Sequence, residues 1–431
     1  MKKITTLLTA IIGMALMNQV SATHVTVEVP TAGQLSSLVQ DINCDSITIS
    51  GNLDGNDFWF IREQMPNLFY LNTSKVTVPG NRLPESGLYS KKTLQKIILP
   101  DNLETIGSNA FAYCSNLKDI TFPKTLATIE YHTFYQCGLS EVTLPDKLKD
   151  IGDAAFYECY NLKKVNFPEK LVSIGNSAFR QCNLSEVAFP DSLKTIGSNA
   201  FRYCQQLQKV TFPEKLETIG THAFNDCFRL HTATLKGKTA PVISDNTFNY
   251  TKVFYVPEGA AQTYKEATNW SNLVIIDGNT PKKITVTLTT AGTLGEEILK
   301  QVDYVKQVNE LVINGPLNSD DFYQIQQQAT NLISIDLTKA TIESLPENFF
   351  YERAALLDIK LPATLKSIGR YAFYRCHGLT QITIPEGVTI VGDYAFNECI
   401  SLKEIELPTT LTDIKNGAFQ NCWSLASIQI P

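Results

Sequence analysis

A repeat with a period of 22 or 23 residues constrains this 431-residue chain more than any other feature. A phenylalanine recurs at this spacing in two runs, and a proline follows nine of these phenylalanines after eleven or twelve residues. The first run is Phe111, Phe134, Phe156, Phe179, Phe201 and Phe224, and the second is Phe350, Phe373, Phe396 and Phe419. A fixed period of this length predicts a solenoid, in which each coil stacks only on its neighbours.

Each coil carries the same apolar pattern. Leu117, Ile120 and Phe122 typify an L-x-x-I-x-F segment that ends at a proline and predicts a strand with its apolar side chains turned inward. The next segment is expected to turn the chain, and A-F-x-x-C to form a short helical turn against the interior. The predicted fold class is therefore an α/β repeat solenoid with a curved parallel β-sheet and short helical or irregular turns.

The pattern starts twice, which predicts two arrays in tandem. The segment HVTVEVPTAGQL from His24 matches KITVTLTTAGTL from Lys283. The first unit is predicted over residues 23–281, with a cap (23–93), regular repeats (94–235) and a closing cap (236–276). The second is predicted over 282–431, with a cap (282–349) and repeats (350–431) whose last strand starts at Leu425. It has no closing cap, which predicts oligomerisation through an uncapped C-terminal end.

The amino terminus has the features of a signal peptide. Lys2 and Lys3 precede an apolar run over 4–17, and Val20-Ser21-Ala22 supplies small residues for cleavage. Residues 1–22 therefore predict export, to the medium or to the cell surface. No later stretch has the ~18 apolar residues of a membrane span.

Charge and motifs argue against several classes of function. The net charge of −6 disfavours nucleic acid as a partner, because binding to phosphates needs clustered lysine and arginine. The sequence contains no nucleophile elbow, phosphate-binding loop or zinc-protease motif. His132 and His222 share a repeat position but lie four coils apart, about 19 Å, too far for one metal ion. We therefore expect no enzyme activity, cofactor or metal site.

Nine of the ten cysteines lie three residues after a repeat phenylalanine, so they form one column in each array. We favour a ladder of buried thiols that fill the same niche in successive coils. Disulfides between adjacent coils are the alternative, because the spacing of coils is close to the Cα separation of a disulfide. With the repeat phenylalanines, the predicted structural core includes Cys114, Cys137, Cys159, Cys182, Cys204, Cys227, Cys376, Cys399 and Cys422.

Tyrosine and arginine recur just after the repeat phenylalanines, where side chains should point outward. These residue types are enriched at binding hot spots. Stacked over successive coils they would form a ribbon, and the alternative is that they only cover the coil edges. The candidate binding residues are Tyr113, Tyr135, Tyr157, Arg180, Arg202, Tyr203 and Tyr374.

Two other surfaces are weaker candidates. An acidic column follows the repeat prolines, and ordinary turn chemistry explains it better than a calcium site. Its members are Asp101, Asp146, Glu169, Asp191 and Glu214. The outward positions of the strands, such as Lys164, Glu186 and Thr211, form a polar face of mixed sign.

These motifs resemble the BspA-type leucine-rich repeat family of bacterial surface proteins. Residues 201–220, FRYCQQLQKVTFPEKLETIG, are a near-complete match to its repeat, and the likeness covers roughly 94–235 and 356–431. Departures are Leu88 and Lys91 in place of Phe and Cys, Arg353 in a Cys position and Glu130 where Gly is usual. The resemblance implies a curved leucine-rich-repeat-like solenoid used for adhesion.

The leading functional hypothesis is an exported binding module. It would recognise a protein or glycan on another surface, such as a host or matrix protein or another cell, through contacts repeated along the array. The alternative is a structural scaffold or spacer of an envelope assembly with no dedicated ligand.

Overall fold

The computed structural model describes residues 23–431, so the predicted signal sequence lies outside the described residues. Short parallel strands stack coil on coil and form the predicted solenoid. We call the column of L-x-x-I-x-F strands the front sheet. In the first array its strands are His24–Val29, Ser46–Asn52, Tyr70–Thr77, Lys96–Ile98, Asp119–Thr121, Glu141–Thr143, Lys164–Asn166, Glu186–Ala188, Lys209–Phe212, Thr232–Leu235, Val253–Val256 and Val274–Asp277. In the second they are Lys283–Thr287, Glu310–Pro316, Ser334–Thr341, Asp358–Lys360, Gln381–Thr383 and Glu404–Glu406. The strand expected from Leu425 does not form.

A second column of parallel strands, which we call the rear sheet, lies where the sequence pattern predicts only a turn. Each of its strands has two residues and pairs in register with the coils on either side, as Ile151 does with Ile129 and Ile174. The strands are Arg82–Leu83, Thr105–Ile106, Thr128–Ile129, Asp150–Ile151, Ser173–Ile174, Thr195–Ile196 and Thr218–Ile219, then Ser344–Leu345, Ser367–Ile368, Ile390–Val391 and Asp413–Ile414.

The segment around each repeat phenylalanine is an irregular turn and contains no helix, although a short helical turn was expected. The residues two before and two after the phenylalanine have positive φ, for example Asn109 at 57° and Tyr113 at 64°. A left-handed residue costs about 1–2 kcal/mol when it is not glycine. Hydrogen bonds between coils offset that cost, since the amide of Tyr113 donates to the carbonyl of Tyr135 at 2.7 Å.

The repeat phenylalanines occupy the interior. All are buried except Phe419 of the last coil, which is partly buried. Their rings stack on each other along each array, as between Phe156 and Phe179 at 5.2 Å and between Phe179 and Phe201 at 5.4 Å. Aromatic stacking therefore runs along the solenoid axis.

The ten cysteines are buried and unpaired. Each thiol of the two columns donates to a backbone carbonyl of the preceding coil, as Cys137 Sγ does to Phe111 O at 3.0 Å. Burial raises the pKa of Cys159 to about 12, so the reactive thiolate is scarce at neutral pH. The columns are thiol ladders, and the alternative of disulfides between coils is wrong.

Within residues 23–431, helices are confined to the caps. They are α1 (Leu35–Leu38), α2 (Gly55–Gln64), α3 (Ala261–Glu266), α4 (Leu294–Leu299) and α5 (Ser319–Tyr323), which continues as a π-helical turn over Gln324–Gln328; Pro79–Asn81 and Val305–Gln307 are 3-10 turns. A capping box on Asp54 starts α2, and Asn318 starts α5 in the same way. The buried Asp57 also accepts from the amides of Gly33 and Leu35, which ties α2 to the preceding coil.

The two arrays contact each other along their sides. Val253, Val274 and Ile276 of the first array form a small apolar cluster with Ile333 of the second. Further along, Phe228 packs edge-on against Trp423 at 5.4 Å, and Ser401 Oγ donates to the carbonyl of Phe228 at 3.1 Å. Compared with the Ile276–Ile333 contact, the Phe228–Trp423 contact joins an earlier coil of the first array to a later coil of the second. The second array therefore lies beside the first in the opposite direction.

Candidate binding surface

Six of the seven predicted binding residues form one continuous row across five coils of the first array. Ring centroids lie 4.9 Å apart between Tyr113 and Tyr135 and 5.3 Å apart between Tyr135 and Tyr157. The Arg180 guanidinium lies 5.2 Å from the centroid of Tyr157 and 5.6 Å from that of Tyr203. Arg202 then stacks on Tyr203 at 4.7 Å. Tyr89 extends the row by one coil, 5.3 Å from Tyr113. We call this row, from Tyr89 to Arg202, the ribbon.

The ribbon merges two positions of the repeat. Tyr135, Tyr157, Arg180 and Arg202 directly follow a phenylalanine, whereas Tyr113 and Tyr203 come one residue later. The later position has positive φ, 62° at Tyr203. That turn of the backbone lets a side chain at the second position contact one at the first position of the neighbouring coil.

Carboxylates border the ribbon and fix its polar atoms. Tyr135 donates its hydroxyl to Glu158 at 3.3 Å, and Arg202 Nε pairs with Asp226 at 3.2 Å. Burial and the charge of Glu158 raise the pKa of Tyr135. Burial opposes ionisation of Glu158, but hydrogen bonds from Gln136 and neighbouring tyrosines outweigh it and lower the pKa of that carboxyl. Tyr135 is therefore a neutral donor and Glu158 is an anion near pH 7.

All seven predicted binding residues are half-buried. Their packing on each other accounts for the covered part, as expected if they shield the coil edges. The exposed part of each side chain is available to a partner.

Tyr374 belongs to a separate cluster in the second array. It stacks on Tyr351 at 5.0 Å and meets Tyr371 at 5.4 Å with the rings almost perpendicular. Arg375 lies 5.0 Å from the Tyr374 ring and pairs with Glu398 at 2.8 Å. Sequence reasoning missed Tyr89, Tyr351 and Arg375, although each stands one or two residues after a phenylalanine position. Testing that register in every coil, including the irregular ones, would have found them.

The other candidate surfaces contain no cluster of ligating groups. Two members of the acidic column pair with lysines, Asp101 with Lys75 at 2.8 Å and Asp191 with Lys236 at 3.0 Å. Within residues 23–431, no group of three or more histidine, cysteine or acidic side chains is arranged to hold a metal ion. The front sheet presents alternating charges, of which Lys96 and Asp119 pair at 2.6 Å.

Among the helices of residues 23–431, none has both the length and the apolar character needed to cross a lipid bilayer.

The parallel front sheet, the buried ladders and the repeat signature together define a leucine-rich repeat solenoid. The chain belongs to the BspA-type leucine-rich repeat family, because the family model described as "BspA type Leucine rich repeat region" matches residues 82–204, 129–254, 172–285 and 323–431. No protein with a curated description matches the chain significantly.

Several solved structures are similar to this chain. A leucine-rich repeat protein from Bacteroides ovatus is 23% identical over 93% of this chain and 85% of its own, with a TM-score of 0.39. A leucine rich cell surface protein from Faecalibacterium prausnitzii is 21% identical over 93% and 86% of the two chains, with a TM-score of 0.36. The pneumococcal vaccine antigen PcpA is 18% identical over 80% and 73%, with a TM-score of 0.27.

Proposed function

We propose that this protein is an exported, non-catalytic binding module that recognises a protein on another surface through the ribbon. The continuous stacking of Tyr113, Tyr135, Tyr157, Arg180, Tyr203 and Arg202 is the observation that carries the proposal. Tyrosine and arginine supply large contact area and several hydrogen-bond donors at low entropic cost once packing has ordered them.

The length of the ribbon suits a flat partner better than a small molecule. The ribbon spans coils spaced about 4.8 Å apart, so contacts repeat at regular intervals over roughly 25 Å. Each contact is weak by itself, and their sum gives useful affinity through simultaneous engagement. Export follows from the signal sequence predicted over residues 1–22, and a surface location suits such a partner.

The test replaces Tyr135, Tyr157, Arg180 and Arg202 by alanine and measures binding of the mature chain to immobilised extracellular-matrix proteins and to cells. We expect at least a tenfold loss of affinity, because hot-spot side chains contribute 2 kcal/mol or more each. The ribbon residues also pack on one another, so this variant should melt at a lower temperature. Circular dichroism at the assay temperature shows whether it is folded.

A matched control replaces Thr143, Lys164, Asn166 and Lys209 on the front sheet by alanine. It removes the same number of positive charges from the exposed strand surface of the same coils. Equal loss in both variants would point to net charge as the cause, and undiminished binding in the ribbon variant would rule the ribbon out. If the fourfold ribbon variant does not fold, Arg180→Ala alone is compared with Lys164→Ala.

A further inference from the structure

A cleft of about 950 Å³ opens in the second array where the end of its cap helix meets the first repeats. Three tyrosines, Tyr351, Tyr371 and Tyr374, lie in its wall together with Gln327, Glu347 and Asn348. The volume is at the upper end of ordinary small-molecule sites. The cleft is separate from the ribbon, which belongs to the first array.

The three tyrosines form an aromatic corner. The rings of Tyr351 and Tyr374 are nearly parallel, with 20° between their planes, and Tyr371 stands at 77° to Tyr374 and 89° to Tyr351. Tyr351 is 43% exposed, so much of its ring is open to the cleft. An open aromatic surface of this kind accepts a ligand that has an apolar face.

Charges around the corner are already compensated within the protein. Glu352 pairs with Arg375 at 3.0 Å, and Glu347 lies 3.9 Å from Arg370. The same two arginines cover rings of the corner, Arg370 over Tyr371 at 4.5 Å and Arg375 over Tyr374 at 5.0 Å. These guanidinium groups would repel a cationic ligand. An anionic ligand would have to compete with Glu347 and Glu352 for the same guanidinium groups.

The guanidinium of Arg353, which also lines the cleft, donates to the backbone carbonyls of Ile325 and Gln326. The remaining polar groups of the cleft are side-chain amides, carboxylates and tyrosine hydroxyls, which can bond to the hydroxyls of a ligand. Gln327 and Asn348 each offer donors and acceptors, and the carboxylate of Glu347 accepts. A ligand that suits this wall therefore has no net charge, carries many hydroxyl groups and presents an apolar face to a ring. We propose that the cleft binds a neutral oligosaccharide, with a sugar ring stacked on Tyr351 and its hydroxyls bonded to Gln327, Glu347 and Asn348.

The duplicated unit supports this assignment by contrast. Tyr89 of the first array corresponds to Tyr351, but Asn109 and Ala112 stand where the second array has Tyr371 and Tyr374. The aromatic corner is therefore specific to the second array. The first array thus provides an internal control at the same place in the fold.

The test titrates the full mature chain with tetramers of β-1,4-linked glucose, mannose, xylose and N-acetylglucosamine and of α-1,4-linked glucose. Isothermal titration calorimetry should show binding of at least one of them. We expect Tyr351→Ala to weaken that binding at least tenfold and Tyr351→Trp to retain it, because the indole preserves the stacking surface. Gln327→Ala should weaken it several-fold, and Gln328→Ala, on the neighbouring exposed residue outside the cleft, should not.

Two further measurements separate this ligand class from others. Binding of a neutral sugar should change less than twofold between 0.05 and 0.5 M salt, because screening acts on charged ligands. Tyr89→Ala in the first array should leave it unchanged. Failure of all five tetramers to bind would overturn the proposal, as would Tyr351-dependent binding of a lysine-rich peptide or of a sulfated oligosaccharide in their place. If the ribbon variant loses binding to its protein partner but still binds the sugar, the two sites are independent of each other.

Discussion

At the scale of the residue, the repeat phenylalanine links neighbouring coils as well as filling its own. Phe179 is fully buried and stacks on the rings of Phe156 and Phe201, while Phe167 meets it edge-on at 5.6 Å. Phe419 stacks on one ring only, that of Phe396 at 5.4 Å, and is partly buried. The same residue type therefore contributes differently in the middle and at the last described coil of a column.

We predict that Phe179→Ala lowers the free energy of unfolding by about 3–5 kcal/mol, through lost transfer energy and the cavity left between two coils. Urea denaturation followed by circular dichroism measures the change. Phe419→Ala is the control and should cost clearly less, because it already touches solvent. A loss below about 1 kcal/mol for Phe179→Ala would contradict the ladder of stacked rings.

Residues that depart from the repeat have structural roles of their own. Glu130 stands where glycine is usual, and its carboxylate accepts two hydrogen bonds from Arg82, at 2.9 and 2.8 Å. It also accepts from the amide and the hydroxyl of Ser108, both at 3.0 Å. Glu130 thus joins three successive coils. At the equivalent Gly175, a Cβ would lie 2.7 Å from the backbone nitrogen of Asp153, which explains why glycine is usual there.

At the scale of the element, two of the cap helices, α2 and α5, are each held by a basic residue in a cysteine position. Lys91 Nζ is buried and donates to the carbonyls of Arg62 and Met65 at the end of α2. Arg353 does the same to Ile325, Gln326 and Ala329 beyond α5. Terminal carbonyls of a helix lack partners within it, and a cation there also interacts favourably with the helix dipole. These departures, which look like weakened repeats in the sequence, join the caps to the repeats.

We predict that Lys91→Met destabilises the protein by about 1–3 kcal/mol, because the buried carbonyls of α2 lose their donor while the volume is kept. Burial lowers the pKa of Lys91, but the amine remains a donor in either form. Thermal melting and amide exchange of α2 measure the effect. Lys92→Met, at the exposed neighbouring position, is the control and should change stability by less than about 0.5 kcal/mol. Equal effects of the two substitutions would contradict this role.

At the scale of the whole molecule, the two arrays lie side by side. The contact includes two histidines, His231 of the first array and His377 of the second. The ring of His377 lies 5.1 Å from that of Tyr250 in the first array. Burial lowers the pKa of each imidazole to about 4. At His231 the charge of Lys403 lowers the pKa further. At His377 the charge of Glu398 opposes the effect of burial, whereas the charges of Arg375 and Lys252 add to it. Because the two arrays lie side by side, together they are shorter than two arrays joined end to end.

We predict that the protein loses stability as the pH falls from about 6.5 to about 4. In that window the unfolded chain protonates both histidines and the folded chain does not, so protons favour unfolding. The full effect is roughly 3 kcal/mol for each imidazole. Urea midpoints at pH 7.5, 6.0 and 4.5 should fall more steeply for the natural protein than for the His231→Gln, His377→Gln double variant. Parallel curves would show that these histidines are not the cause.

Much of the fold could be predicted from the sequence because a solenoid repeats a local rule. The period, the apolar positions and the family follow from residues within one coil and its neighbours. The rear sheet could not be read in the same way, because two residues such as Asp150–Ile151 carry no periodicity by themselves. The boundary between the two units, placed between residues 281 and 282, remains a prediction, and so does the export signal.

The candidate sites show the same limit. The sequence by itself determined that tyrosine and arginine recur beside Phe134, Phe156 and Phe179, because their register is fixed by the repeat. Only the tertiary structure decided that two registers merge into one ribbon, since a left-handed backbone at Tyr113 and Tyr203 brings them together. The tertiary structure also decided which charges are paired and that the two arrays contact each other along their sides. Those outcomes depend on contacts between residues far apart in the chain, which no local pattern encodes.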